Sequence, residues 1–260
     1  MKSYLLALFF LGLFLVSQGQ KKYSTADVHS HNDYENKIPF WTAYNHGFGS
    51  IEADIFLVGN NLFVGHDTLE IKSGRTLQHY YLDPIRSMIR KNHGSVYPDK
   101  KRKLELLIDV KTEAYSTLNR LVEILRAYPS LITNRNLRFI ISGERPEIKD
   151  YKNYPPFILF DGRLHASYDA RSIQKVGLIS DDFSNYSHWN GIVPISKDEE
   201  LKLKELVKRT HSLHRKLRFW ATPDTPLTWN EMIKLQVDYI NTDSIVPISK
   251  YLKVHSMYMN

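Results

Sequence analysis

Short apolar runs rich in β-branched residues alternate along the chain with longer stretches in which apolar residues recur every three or four positions. The first pattern predicts strands and the second helices. Strands are expected at residues 27–31, 49–57, 104–110, 137–142, 157–160, 176–179, 217–221 and 239–241. Helices are expected at 39–46, 77–91, 115–127, 198–214, 227–234 and 245–252, with weaker ones after Arg145 and Ala166, and Asp198 and Thr228 as N-caps. Eight strands interleaved with helices, no linker rich in Pro, Gly or Ser and no internal repeat predict an α/β fold, a single (β/α)8 TIM barrel. A doubly wound open sheet is the alternative. The segment NNLFVGHD, 60–67, predicts a hairpin insertion after the second strand, with the Asn pair at its turn.

Residues 1–19 break this pattern. Lys2 precedes an apolar run of about thirteen residues, and Ser17 and Gly19 follow it. Spanning a bilayer takes roughly 20 apolar residues, so the run reads as a cleaved signal peptide, and the protein is expected to be exported to a periplasm or secreted. Residues 20–260 then form the barrel domain. The 260 residues are 42% hydrophobic and 24% charged, enough apolar material for a large core. The absence of cysteine excludes disulfides, thiolate catalysis and an acyl anchor on cysteine. A net charge of +7 favours anionic partners, yet aromatic and basic residues do not interleave as they would for nucleic acid. The basic run KKRK at 100–103 reads as a solvated loop.

In a barrel of this kind the site lies at the carboxyl ends of the strands, so polar residues closing apolar runs carry the chemistry. In IEAD, Glu52 and Asp54 are two apart and share a face of the strand, and in IDVK, Asp109 and Lys111 do the same. Like charges side by side require compensation, and a hard divalent cation supplies it. Glu52, Asp54 and Asp109, with the Asn32 amide, offer the all-oxygen donor set that suits Mg2+ or Ca2+. His31 closes the first strand and His66 falls in the hairpin. A histidine pair flanking a cation suits displacement at phosphorus, one taking a proton and the other giving one. His29 shares a face with His31 and is expected to support it.

These motifs, HN, EAD, GHD and DVK in that order, resemble the PLC-like phosphodiesterase superfamily, which includes glycerophosphodiester phosphodiesterases, phosphatidylinositol-specific phospholipases C and sphingomyelinase D. His31 and Asn32 resemble the SHN-x-Y of the eukaryotic phospholipases, where the amide is a calcium ligand. Glu52 and Asp54 resemble the E-x-D of the second strand, His66 and Asp67 the HD after it, and Asp109 and Lys111 the acidic-x-Lys of the third. Trp220 and Asp243 resemble the W-T-x-N and I-x-T-D of the last two strands. The H-R-G of glycerophosphodiesterases is absent: Asn32 stands where the phosphate-binding arginine would be, and Arg145 or Arg163 is expected to supply that charge.

The resemblance implies an exported metal-dependent phosphodiesterase. His31 is the base, His66 the acid, Lys111 the group that offsets charge on phosphorus, and Glu52, Asp54, Asp109 and Asn32 the metal ligands. His29, Arg145, Trp220 and Asp243 stand in support. Expected partners are a phosphodiester small molecule or a phospholipid headgroup, with peripheral membrane contact. Glycerophosphodiesters, phosphoinositides, sphingolipids and cell-wall diesters all fit the residues. Two other readings stand beside this one. DVHSH matches the D-x-H-x-H of zinc hydrolases, with His29 and His31 both on the metal. A barrel that has lost catalysis would serve as an exported binding protein.

Overall fold

The computed structural model describes residues 21–258, so the signal-peptide reading lies outside the described residues. Nine strands form one sheet: β1 (Val28–Ser30), β2 (Ser50–Val58), β3 (Asn61–Val64), β4 (Leu104–Val110), β5 (Leu137–Gly143), β6 (Ile158–Gly162), β7 (Val176–Asp182), β8 (Leu217–Trp220) and β9 (Ile240–Thr242). Eight of them run parallel in the order β8-β7-β6-β5-β4-β2-β1-β9, and β3 pairs antiparallel with β2. A parallel bridge between Arg218 and Tyr239 joins the two ends, with the N–H groups of Asp238 and Tyr239 both donating to Leu217 O at 3.1 Å. The sheet is therefore a nearly closed eight-stranded parallel barrel.

The parallel strands are joined by helices, because a parallel connection must cross from one end of the barrel to the other. These are α1 (Trp41–Asn45), α2 (Asp83–Lys91), α3 (Ala114–Arg126), the short α4 (Pro129–Ile132), α5 (Lys197–Ser212), α6 (Pro226–Lys234) and α7 (Ile245–Tyr258). α3 shows the logic: Leu118, Leu121, Val122 and Leu125 recur at helical spacing and are all buried. The main core lies between such faces and the outside of the sheet. A separate small cluster of Leu107, Ile140, Leu178 and Tyr239, with Leu159 against it, fills the barrel interior.

Below that layer, Glu105 Oε1 pairs with Arg138 Nη1 at 3.0 Å and Lys216 Nζ at 3.3 Å. Above it, the inward positions of β2, β4 and β8 are charged, and that of β1 is His29. The apolar layer thus separates an ionic floor from an ionic mouth.

The structure differs from the sequence reading in a few places. The hairpin turns at Gly59 and Asn60, one residue before the Asn pair, because Val58 pairs with Asn61 and Gly59 takes φ +58. The N-caps of α5 and α6 are Ser196 and Thr225: Ser196 Oγ accepts from Glu199 N, and Thr225 Oγ1 accepts from Thr228 N. Asp198 lies in the first turn of α5 and Thr228 inside α6. The weaker helices after Arg145 and Ala166 are 3-10 turns, Ile148–Asn153 and Ile173–Lys175. A stretch of π-helix, Gln78–Leu82, leads into α2.

The cap assignment has a measurable consequence. Ser196→Ala should lower unfolding stability by about 1 kcal/mol. Asp198→Ala, which removes only a charge near the positive end of the helix dipole, should cost about 0.3 to 0.5 kcal/mol. Urea denaturation of the two variants decides between the caps, and equal losses would return Asp198 to that role.

Candidate active site

Register builds the site. Asp54 on β2 and Asp109 on β4 are direct cross-strand partners, and Glu52 stands two residues before Asp54 on the same face. One carboxylate oxygen from each of Glu52, Asp54 and Asp109 lies within 4.8 Å of the others. Asp54 Oδ1 is buried without a hydrogen-bond partner, and Asp109 Oδ1 is buried with the Lys111 ammonium against it. Gly143, at the end of β5 with φ +68, lets the β5 backbone approach Asp109 closely: a Cβ there would run into Asp109 Oδ1 and Val110 O.

Two cations hold the cluster together. Arg218, on β8 and almost fully buried, places Nη1 2.9 Å from Glu52 Oε2 and 3.3 Å from Asn241 Oδ1. Lys111 places Nζ 2.9 Å from Asp54 Oδ2 and 3.2 Å from Asp109 Oδ1. Burial raises the Glu52 pKa, but His29, Arg218 and His31 outweigh it and hold the carboxyl well below the usual range. Asp54 goes the other way, pushed up to about 7 by burial and by the charges of Glu52 and Asp109, which Lys111 only partly offsets. Asp109 is raised for the same reasons. Burial lowers the Lys111 pKa, yet the two aspartates more than compensate and raise it overall.

The histidines divide. His29 is fully buried, donating from Nε2 to Glu52 Oε2 at 2.7 Å, accepting at Nδ1 from Ser50 Oγ at 2.8 Å, and touching Arg218 Nη1. Burial and Arg218 lower its pKa to about 4, so it is neutral at pH 7. Both its ring nitrogens are occupied by side chains, which disfavours the shared zinc of a D-x-H-x-H site. His31 is at the rim. Its Nδ1 donates to Asp243 Oδ1 at 2.9 Å, and its Nε2 faces Glu52 Oε1 at 4.0 Å. Burial lowers its pKa, but the Asp243 hydrogen bond and the charges of Glu52 and Asp243 raise it above the ordinary value. His66, on the hairpin side and largely exposed, places Nδ1 4.0 Å from Asp54 Oδ2.

Tyr34 ties the two rims together: its hydroxyl lies 2.8 Å from both Asn32 Oδ1 and Asp54 Oδ2, and 3.3 Å from His66 Nδ1. The loop that carries His31, Asn32 and Tyr34 is pinned by buried Asp33. That carboxylate accepts from Ser30 Oγ at 3.0 Å, Phe40 N at 2.6 Å and Tyr81 OH at 3.1 Å. Asn32 takes the left-handed conformation, φ 44, which an asparagine tolerates better than most residues. Asp224 braces the other side, accepting from Thr242 Oγ1 at 2.7 Å and from Asp243 N at 3.0 Å.

The expected site residues do not all converge. Glu52, Asp54, Asp109, Lys111, His29, His31, His66, Asn32 and Asp243 share one contact network. Arg145 and Arg163 do not join it. Both donate to Asp161 on β6, Arg145 to its carbonyl and Arg163 to Oδ2 at 3.1 Å, and neither pairs with the acidic cluster. Trp220 ends β8 beside Asp182, half-buried, with no hydrogen bond among the described residues. Asp67 accepts from Leu69 N at 2.7 Å and caps the turn after the hairpin. The cation at the centre is Arg218, which the sequence reading passed over. In LRFW it lies two residues before Trp220 on an inward face, the same period-two signal that marked Glu52 and Asp54.

Two outcomes follow from these charges. Removing Arg218 leaves Glu52 buried and uncompensated, so Arg218→Met should cost about 3–5 kcal/mol in urea denaturation, with Glu52→Gln added to it restoring part of the loss. Asp54, whose folded pKa is raised above its unfolded value, contributes stability that is present at low pH and lost as pH rises toward about 7. In chelator, Asp54→Asn should therefore gain on the unmodified protein between pH 4 and pH 7, and parallel curves would show that Asp54 is already ionised.

An AIM6-like phosphodiesterase domain matches residues 20–136, and the Glycerophosphoryl diester phosphodiesterase family matches residues 216–244. The first span carries the acidic cluster and both rim histidines, and the second carries Arg218, Asp224 and Asp243. Altered inheritance of mitochondria protein 6 of Kluyveromyces lactis is 27% identical over 86% of this chain and 72% of its own length. Its homolog in Arthroderma benhamiae is 26% identical over 84% and 81%. Among solved structures, a glycerophosphodiester phosphodiesterase from Parabacteroides distasonis superimposes with a TM-score of 0.53 at 17% identity, covering 88% of this chain and 97% of that one. A similar barrel from Agrobacterium tumefaciens gives 0.51 at 13% identity. By the two family matches and the shared barrel, the chain is similar in sequence to AIM6-like and glycerophosphoryl diester phosphodiesterase domains and shares the fold of the latter.

Proposed function

We propose that the protein cleaves a phosphodiester by general acid and base catalysis at a divalent-cation site. The observation that carries this reading is the convergence of Glu52, Asp54 and Asp109, with Asp54 Oδ1 buried and unpartnered, between two rim histidines. Three crowded carboxylates, one oxygen of which is orphaned, fit a hard cation such as Mg2+ or Ca2+ better than they fit one another. Glu52, Asp54 and Asp109 would hold it, with the Asn32 amide oxygen as a further donor. Such an ion, when bound, polarises a non-bridging phosphate oxygen and favours ionisation of the attacking hydroxyl.

The side chains divide the proton work. Asp243 holds the proton of His31 on Nδ1, which leaves Nε2 free to take one from the attacking hydroxyl. In its neutral form His31 is a stronger base than a free imidazole, because Asp243 and Glu52 favour the imidazolium that forms when it takes the proton. His66, exposed across the acidic cluster, gives a proton to the leaving oxygen. Lys111, locked between Asp54 and Asp109, offsets charge that develops on phosphorus. His29 stays neutral and orients Glu52. Attack by water gives a monoester and an alcohol, whereas attack by a neighbouring hydroxyl of the substrate gives a cyclic phosphate and the same alcohol.

The substrate class is a glycerophosphodiester or a phospholipid headgroup, and the apolar leader at residues 1–19 supports export. N-terminal sequencing of protein recovered outside the cell should begin near Gln20, and an intact Met1 would count against cleavage.

Hydrolysis of bis(p-nitrophenyl) phosphate tests the chemistry. Activity should vanish in chelator, return with Mg2+ or Ca2+, and stay absent in Asp109→Asn. His31→Ala should lower kcat by roughly 10^2 to 10^4, and His66→Ala by a similar factor on a diester with a poorer leaving group. Undiminished turnover in chelator by a protein lacking both histidines would overturn the reading, and restoration by zinc alone would favour the D-x-H-x-H alternative.

A further inference from the structure

The two rim histidines are held in different ways. His31 has a carboxylate on Nδ1, that of Asp243 at 2.9 Å. For His66 the Asp54 carboxylate stands 4.0 Å from Nδ1, too far for a hydrogen bond. With 59% of its side chain exposed, the imidazole would turn freely unless another group fixed it. Its backbone is already fixed: the His66 N–H donates to Glu70 Oε2 at 3.0 Å, and the N–H of Gly65 before it donates to Asp54 O at 3.3 Å. The ring's hydrogen-bond partner is Tyr34, whose hydroxyl lies 3.3 Å from Nδ1.

Tyr34 offers a rigid anchor. Its ring is buried in the main core, the 3-10 turn that carries it, Asp33–Glu35, is pinned through Asp33, and its hydroxyl lies 2.8 Å from both Asn32 Oδ1 and Asp54 Oδ2. A hydroxyl has one proton to give and two lone pairs to offer. Asn32 Oδ1 can only accept, and Asp54 Oδ2 already accepts from the Lys111 ammonium at 2.9 Å, so it too can take the phenolic proton. That proton goes to one of these two short contacts rather than to the longer one at 3.3 Å. What remains for His66 is a lone pair, so Nδ1 must bring the proton.

The geometry points to Tyr34 as the positioning residue of His66. By accepting the Nδ1 proton, its oxygen fixes both the orientation and the tautomer of the ring, and Nε2 becomes the nitrogen that carries the transferable proton. In the doubly protonated ring, Nε2–H gives its proton to the leaving oxygen as the bond from that oxygen to phosphorus breaks. The neutral ring left behind is the Nδ1–H tautomer that Tyr34 holds. Both rim histidines are thus gripped at Nδ1 and work at Nε2, His31 through a carboxylate and His66 through a phenol. The task of His66 rests on the diesterase reading, whereas the grip on its ring needs no turnover.

Tyr34→Phe keeps the buried ring and removes only the hydroxyl. In the full chain labelled with nitrogen-15 histidine and held in chelator, long-range proton–nitrogen correlation spectra show which ring nitrogen carries the proton, and His66→Ala identifies the signal. At alkaline pH, where imidazole is neutral, His66 should be protonated on Nδ1 in the unmodified protein and shift toward Nε2 in Tyr34→Phe, while His31 stays protonated on Nδ1. At saturating cation, kcat of Tyr34→Phe should fall by roughly 10- to 10^2-fold on a diester with an alkyl leaving group. On bis(p-nitrophenyl) phosphate, whose leaving group departs without a proton, it should hardly change. In a His66→Ala background the same substitution should cost nothing further. An unshifted tautomer, equal losses on the two diesters, as a merely structural defect would give, or a further loss in the absence of His66 would overturn the inference. If no diester is hydrolysed while the tautomer still shifts, the catalytic reading fails and the positioning of His66 stands.

Discussion

Mutual repulsion among Glu52, Asp54 and Asp109 is the constraint around which the mouth of this barrel is arranged. Three carboxylates inside one barrel end are tolerable only if cations lie among them or protons neutralise them. Arg218 answers Glu52 from the far side of the barrel, reaching across from β8 to β2. Lys111 answers Asp54 and Asp109 from the strand that carries Asp109. These two charges do not suffice, as the raised pKa values of both aspartates show. The site is built with a deficit of positive charge, and the proposed cation would fill it.

The deficit also organises the histidines. A neutral imidazole can bridge Glu52 and Ser50 inside the barrel because Arg218 beside it discourages protonation, which keeps His29 structural. His31 is placed two residues further along, just past the end of β1, where Asp243 after β9 and Glu52 from β2 favour its charged form. Two histidines two residues apart thus behave in opposite ways, His29 against Arg218 and His31 against Asp243. Asp33 and Asp224, each collecting several donors, lock the loops that present His31 and Asp243.

Most of the fold was legible before any coordinates, for a physical reason. Parallel strands buried on both faces are apolar runs and the helices covering them are amphipathic, so all eight parallel strands announced themselves by period. The caps were misread where local chemistry offered rivals: Ser196 and Asp198 are both cap-forming residues near the start of α5, and only the backbone turn decides which one accepts from the helix. The acidic pairs were legible because alternation along a strand converts spacing two into a shared face.

The sequence by itself therefore determined the barrel, the carboxyl-end location of the polar residues and the grouping of Glu52 with Asp54 and of Asp109 with Lys111, since each of these depends on neighbours a few positions apart. What only the tertiary structure decided are the partners across the barrel. Arg218 meets Glu52 across 166 residues of chain, and His31 meets Asp243 across 212. Arg145 and Arg163, near enough in sequence to suggest a phosphate site, turn instead to Asp161. Ring closure brings β1 between β2 and β9 and aims β8 at β2, and no local periodicity encodes which charged residue will face which across that interior.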